Sequence, residues 1–192
     1  LLALLMAVLV FMFVHDDPSE KGLKSYLDKE SSGQKEEKIL KSLGRVFRFS
    51  NTWFLTIAPG GIVGAVLTFS GLWGVPFLTE VYHLENATAA TLCSLVMLAW
   101  ALSGPIYSLV SERIQLRRMP YLIGTMISLI SWSLVFLIPG WSLVVLSLLL
   151  FLAGFFSGGM ILGFAQGKET LPLSLSGTVS GVINMGVLTG PM

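Results

Sequence analysis

Residues 103–118 read Ser-Gly-Pro-Ile-Tyr-Ser-Leu-Val-Ser-Glu-Arg-Ile-Gln-Leu-Arg-Arg, the one strongly charged interruption in the roughly 140 apolar residues that follow position 50. Gly104 and Pro105 bend an apolar run, Ser111 and Glu112 end it, and Arg113, Arg117 and Arg118 place three cations within six positions. Cations gathered at the end of a spanning helix mark the cytoplasmic side of a membrane, so the stretch reads as a tight cytoplasmic hairpin between two membrane helices. By charge alone, a generic positive loop would look the same.

Composition places the chain in the membrane class without help from any motif. It is 54% hydrophobic and 12% charged, with a mean hydropathy of +0.79, where a soluble domain carries about 25% charged residues. A water-soluble fold is excluded, and an all-α polytopic membrane helix bundle is the class expected. Net charge is +1, and the basic residues are spread over short loops, so nothing points to nucleic acid. Cys93 is the single cysteine and lies in an apolar segment. No disulfide, metal site or cofactor is expected.

Around the hairpin, five apolar segments cover about 53–81, 87–110, 120–138, 141–166 and 173–192, each near the 20 residues or so that a crossing helix needs. The first is expected to break at Pro59-Gly60-Gly61 and again near Gly71, Gly74 and Pro76. Alternate crossings then put 112–119 and 167–172 inside with 15–50, and 80–86 and 139–140 outside. All 12 Lys and Arg fall on the inner side, as the positive-inside rule requires. Glycines spaced by four, at 60/64, 154/158, 159/163, 177/181 and 186/190, predict close helix packing.

Before these spans, residues 1–14 form an apolar stub read as the end of a sixth transmembrane helix. Residues 15–50 form a cytoplasmic inter-domain linker holding 15 of the chain's 23 charged side chains, with a flexible look at Ser31-Ser32-Gly33-Gln34. In its second part Ile39, Leu40, Leu43, Val46 and Phe47 share a helical face, either on the membrane surface or against the cytoplasmic ends of the bundle. The chain starts without Met and stops within an apolar run at Gly190-Pro191-Met192, so a fragment is expected.

The hairpin resembles the loop signature of the major facilitator superfamily, approximately Gly-x-Leu-Ser-Asp-Arg-x-Gly-x-Arg-Arg. Ser111-Glu112-Arg113 and Arg117-Arg118 carry the match; Ser108 stands for the first glycine, Glu112 for aspartate and Gln115 for the turn glycine. Gly71-Leu72-Trp73-Gly74-Val75-Pro76-Phe77-Leu78 is similar to the outer end of the seventh helix of bacterial members. Phe164-Ala165-Gln166 to Lys168-Glu169, with Gly177-Thr178 and Asn184-Met185, is similar to their tenth-to-eleventh helix hairpin. The resemblance implies the C-terminal six-helix half of such a transporter, truncated, working with an N-terminal half around a central cavity by alternating access. It implies a multi-pass protein of the bacterial inner membrane, a solute as partner, and a gating role for Ser111, Glu112, Arg113, Arg117 and Arg118.

Apart from Glu80 at the rim of the first, no span contains Asp, Glu, Lys, Arg or His, and buried charges usually mark ion pathways. A proton coupled to transport, as in symport, would therefore use Glu80 at the rim or the other half. The same absence argues against a membrane-embedded enzyme. The polar residues near the break in the first span include Thr68 and Ser70. The resemblance, to a family whose cavity is lined by the seventh, eighth, tenth and eleventh helices, implies Phe69, Trp73, Ser157 and Asn184 as candidate contacts: aromatic walls, a hydroxyl and an amide, suited to a small polar solute such as an amino acid or organic anion. Export of drugs, traffic in siderophores and a non-transporting scaffold are the alternatives.

Overall fold

The computed structural model of the protein describes residues 2–13, 22 and 39–191. Most of the charged linker, including its Ser31-Ser32-Gly33-Gln34 patch, lies outside the described residues. The chain divides into two units, 1–38 and 39–192. In the first, α1 (Leu2–Phe13) is a helix of 12 apolar residues, about 18 Å long at the usual rise and short of the roughly 30 Å of a hydrocarbon core.

The second unit starts with α2 (Ile39–Phe47). Of the two placements open from the sequence, the helix takes the one against the bundle: Val46 and Ser42 are buried, and Leu43 and Phe47 pack with Leu171, Leu175 and Val179. Ile39 and Leu40 stay exposed, so the buried face is narrower than the five-residue face expected. Trp53 Nε1 donates to Phe47 O at 3.1 Å and the two rings lie 5.1 Å apart, closing the corner into the next helix.

α3 (Ser50–Thr68) passes through Pro59 without a break, which corrects the interruption expected there. A missing N–H is tolerated in a span when a neighbouring helix supports the backbone, and here α9 (Ser176–Thr189) lies along α3. A Cβ on Gly60 or Gly64 would strike the carbonyl of Gly186 or Gly190, and one on Gly186 or Gly190 the carbonyl of Thr56 or Gly60. The expected interruption near Gly71 is present as a π turn (Phe69–Trp73), with the Gly74 N–H reaching back five residues to Phe69 O. Pro76 has no N–H to give Leu72 O, so the regular ladder is already weakened there. Gly74 has room for no side chain between Phe69 O and Cys93 Sγ. α4 (Gly74–Val81) then continues the same span.

After it come α5 (Asn86–Ile114), α6 (Arg118–Leu137), α7 (Leu143–Ser157), a 3-10 turn (Gly158–Met160) and α8 (Ile161–Thr170). Ser50–Val81, Asn86–Ile114, Arg118–Leu137 and Leu143–Thr170 are each long and apolar enough to cross a membrane. The fifth expected segment opens with a 3-10 turn (Leu173–Leu175) and gives α9 only 14 residues. α5 and α6 both pack along α7, the first closely, because Gly154 meets Val96 O and Gly158 meets the Ser103 side chain. Gly177 and Gly181 face open space, so that expected pair makes no close approach within this unit. An aromatic cluster of Phe69, Phe77, Tyr82, Trp132 and Phe136 ties the π turn to α6.

Candidate functional site

The hairpin between α5 and α6 is built from one left-handed residue. α5 stops because Gln115 sits at φ 54°, ψ 28°, the position the superfamily signature gives to glycine. A side chain there costs about 1 kcal/mol, and Gln115 offsets part of it by donating Nε2 to Glu112 O at 2.6 Å. Ser111, fully buried, donates Oγ to Leu116 O at 2.8 Å and accepts from Arg117 Nη1 at 3.0 Å. The same guanidinium grips Glu169 Oε1 with Nε at 3.1 Å and Nη2 at 3.0 Å. A residue at the end of α8 is thereby joined to the start of α6.

Of the hairpin residues singled out in the sequence, Ser111 and Arg117 are in contact with each other, and the carboxylate that Arg117 meets is Glu169's. Glu112, Arg113 and Arg118 are exposed, and among the described residues their side chains have no hydrogen bond or ion pair. Glu169 was part of the stretch that carried the resemblance, but 52 positions separate it from Arg117, and no local spacing links the two. The bond to Ser111 orients the guanidinium. The ion pair itself is partly open to solvent, with side chains 27% and 52% exposed, and an exposed pair contributes about 0–1 kcal/mol. It is a contact that can be broken cheaply.

The four solute candidates fall into two kinds. Phe69 is 4% exposed within the aromatic cluster, its ring 4.9 Å from that of Trp132. Ser157 is buried and satisfied, donating to Ala153 O at 2.6 Å and sharing a 2.9 Å bond with Ser128 Oγ, a cross-link between α7 and α6. Trp73 is 65% exposed, and Asn184 is exposed on α9. A helix of ordinary period would put residues 69 and 73 on one face; the wider π turn separates their fates. The four therefore do not line one cavity within this unit.

Beside Phe69, two polar atoms are buried with no partner: Ser70 Oγ and Trp132 Nε1. Each such group costs about 1–3 kcal/mol, and π turns recur at functional sites. Trp132 lacked any sequence signal, since a tryptophan in an apolar run reads as packing. Among the described residues, no group of three His, Cys, Asp or Glu side chains is placed to hold a metal. The Glu, Lys and Arg residues of the described spans stand at their ends, with Glu80 exposed near the close of α4.

Among curated proteins, none matches the chain. The family match, to the Major Facilitator Superfamily, runs over residues 1–192. With apolar helices long enough to cross a membrane and a match over its whole length, the chain belongs to the major facilitator superfamily of membrane transporters.

Proposed function

We propose that the protein is a secondary active transporter that moves a small polar solute across a bacterial inner membrane by alternating access, with Trp73 and Asn184 contacting the solute. The observation that carries this reading is Asn184: an amide exposed on the surface of a helix within the fifth apolar segment. Facing hydrocarbon it would lose its hydrogen bonds at a cost of several kcal/mol. Facing a water-filled cavity it loses nothing. Trp73 lies exposed at the end of the π turn, on the helix that α9 packs against. Phe69, held by ring packing, and Ser157, bonded to Ser128, are buried and are not placed in contact with the solute.

The ends of the spans fit the same picture. Residues 112–119, with Arg113, Arg117 and Arg118, and the α2 helix belong on the cytoplasmic side, and Glu80 and Glu85 outside. The Arg117–Glu169 pair is then a cytoplasmic latch between α6 and α8. If protons drive transport, the coupling acid is Glu80 or lies on the half-transporter that faces this one.

An uptake screen of amino acids and organic anions in a deletion strain identifies the solute. With it in hand, Trp73→Ala and Asn184→Ala should each raise the half-saturating concentration about tenfold, the loss of one net contact of about 1.4 kcal/mol. Unchanged half-saturation in both variants, at normal insertion, removes these residues from the site.

A further inference from the structure

α5 and α6 each pack along α7 rather than along each other, and the gap between them is a groove of about 310 Å³. Val110 and Ile114 of α5 form one wall, Met119 and Ile123 of α6 the other, and Phe155 and Phe156 of α7 the base. From Ile114 at the hairpin the lining reaches back to Ile106, a run of about 12 Å at the usual rise, close to the ~15 Å depth of one leaflet's hydrocarbon. None of the candidate solute residues lines it.

Two arginines adjoin the hairpin end of this lining in sequence. Arg113 immediately precedes Ile114 on one wall and Arg118 immediately precedes Met119 on the other. Both guanidiniums are exposed and, among the described residues, neither has a partner, whereas Arg117 is committed to Glu169. The nearest opposing charge in sequence is the exposed Glu112, one anion against two cations. An apolar slot about one leaflet deep, with two exposed arginines next in sequence to the residues at its hairpin end, suits a molecule with an acyl tail and an anionic head. Basic pockets between helices on the cytoplasmic side hold such heads.

We propose that the groove is a binding site for an anionic phospholipid, with one acyl chain between α5 and α6 and the phosphate held by Arg113 and Arg118. The apolar lining and its length of about one leaflet suit a single hydrocarbon chain. The bound lipid would wedge the hairpin and set the spacing at which Arg117 meets Glu169. Placement in the cytoplasmic leaflet rests on the orientation proposed above; retention of the lipid does not.

Native mass spectrometry of the full-length transporter in detergent tests this, with phosphatidylglycerol and phosphatidylcholine of identical chains as probes. Two cations should give a preference for phosphatidylglycerol of roughly thirtyfold, with one lipid retained per protein. The double variant Arg113→Gln/Arg118→Gln, which touches only exposed side chains, should bind the two lipids alike. Ile123→Trp, checked for helicity and monodispersity, should cut retention of both at least tenfold. Equal retention of the two lipids by the wild type, or no retention of either, overturns the proposal, as does a preference that survives loss of both arginines. In the Cys93→Ala background, a cysteine introduced by Ile123→Cys should react with maleimide in delipidated protein. If it stays protected, a protein segment fills the groove and the proposal fails.

Discussion

The two ends of α6 are held by different chemistry. At its C-terminal end the chain is capped by side chains that belong to an aromatic and apolar core: Tyr82 OH donates to Val135 O at 2.9 Å and Trp141 Nε1 to Leu134 O at 3.0 Å. Trp132 and Phe136 stack at 5.6 Å between them and the π turn. Burial raises the pKa of Tyr82 above the ordinary tyrosine value, so the phenol keeps the proton it donates. At the N-terminal end, one arginine reaches a buried serine and a half-exposed glutamate. The first end depends on packing and is indifferent to salt. The second depends on a few polar contacts, partly open to solvent, and is the cheaper of the two to break.

The largest effect should come from breaking the packed end. Trp132→Ala removes a ring that contacts Phe69 and Phe136 and should destabilise the bundle by about 3 kcal/mol, read as earlier unfolding in a detergent titration. It also removes a buried N–H without a partner, which trims the loss. Stability equal to wild type would mean that the cluster is not what holds this end.

A smaller change in stability, with a clear change in rate, is expected at the polar end. Arg117→Glu and Glu169→Arg should each alter the uptake rate severalfold while shifting unfolding by no more than about 1 kcal/mol. Reversing both charges together should recover most of the rate, because the pair is restored with opposite sign. The bond to Ser111 is lost in the double variant, so recovery is incomplete. A double variant no better than the worse single variant would separate these residues from each other.

How far these contacts were legible in advance depends on how local their causes are. Four long apolar helices, the hairpin at residues 113–118 and the packing at Gly60, Gly64, Gly186 and Gly190 follow from hydropathy, charge and spacing, all of which act over a few turns. Pro59 misled because its effect is decided by α9, far along the chain, where the close approach at Gly186 lets the two backbones meet. The partition of Phe69 from Trp73 needed the π turn, which hydropathy does not encode. Glu169, rather than Glu112, is the carboxylate that Arg117 contacts, and with 52 positions between the two no local spacing announces the pair.

Gln115 offers the smallest test. Gln115→Gly relieves the left-handed strain but gives up the bond to Glu112 O, so the hairpin should gain only about 0.5 kcal/mol. A clear loss of stability would show that the side-chain bond outweighs the strain.

The contrast between the two ends is tested most directly by hydrogen–deuterium exchange of the full-length transporter in lipid nanodiscs, comparing wild type with Glu169→Gln. Exchange reads local opening segment by segment and needs no knowledge of the solute. Faster exchange confined to residues 111–118 and 167–176, with 69–82 and 128–142 unchanged, is the predicted result. Equal acceleration at both ends, or none at residues 111–118, would contradict it.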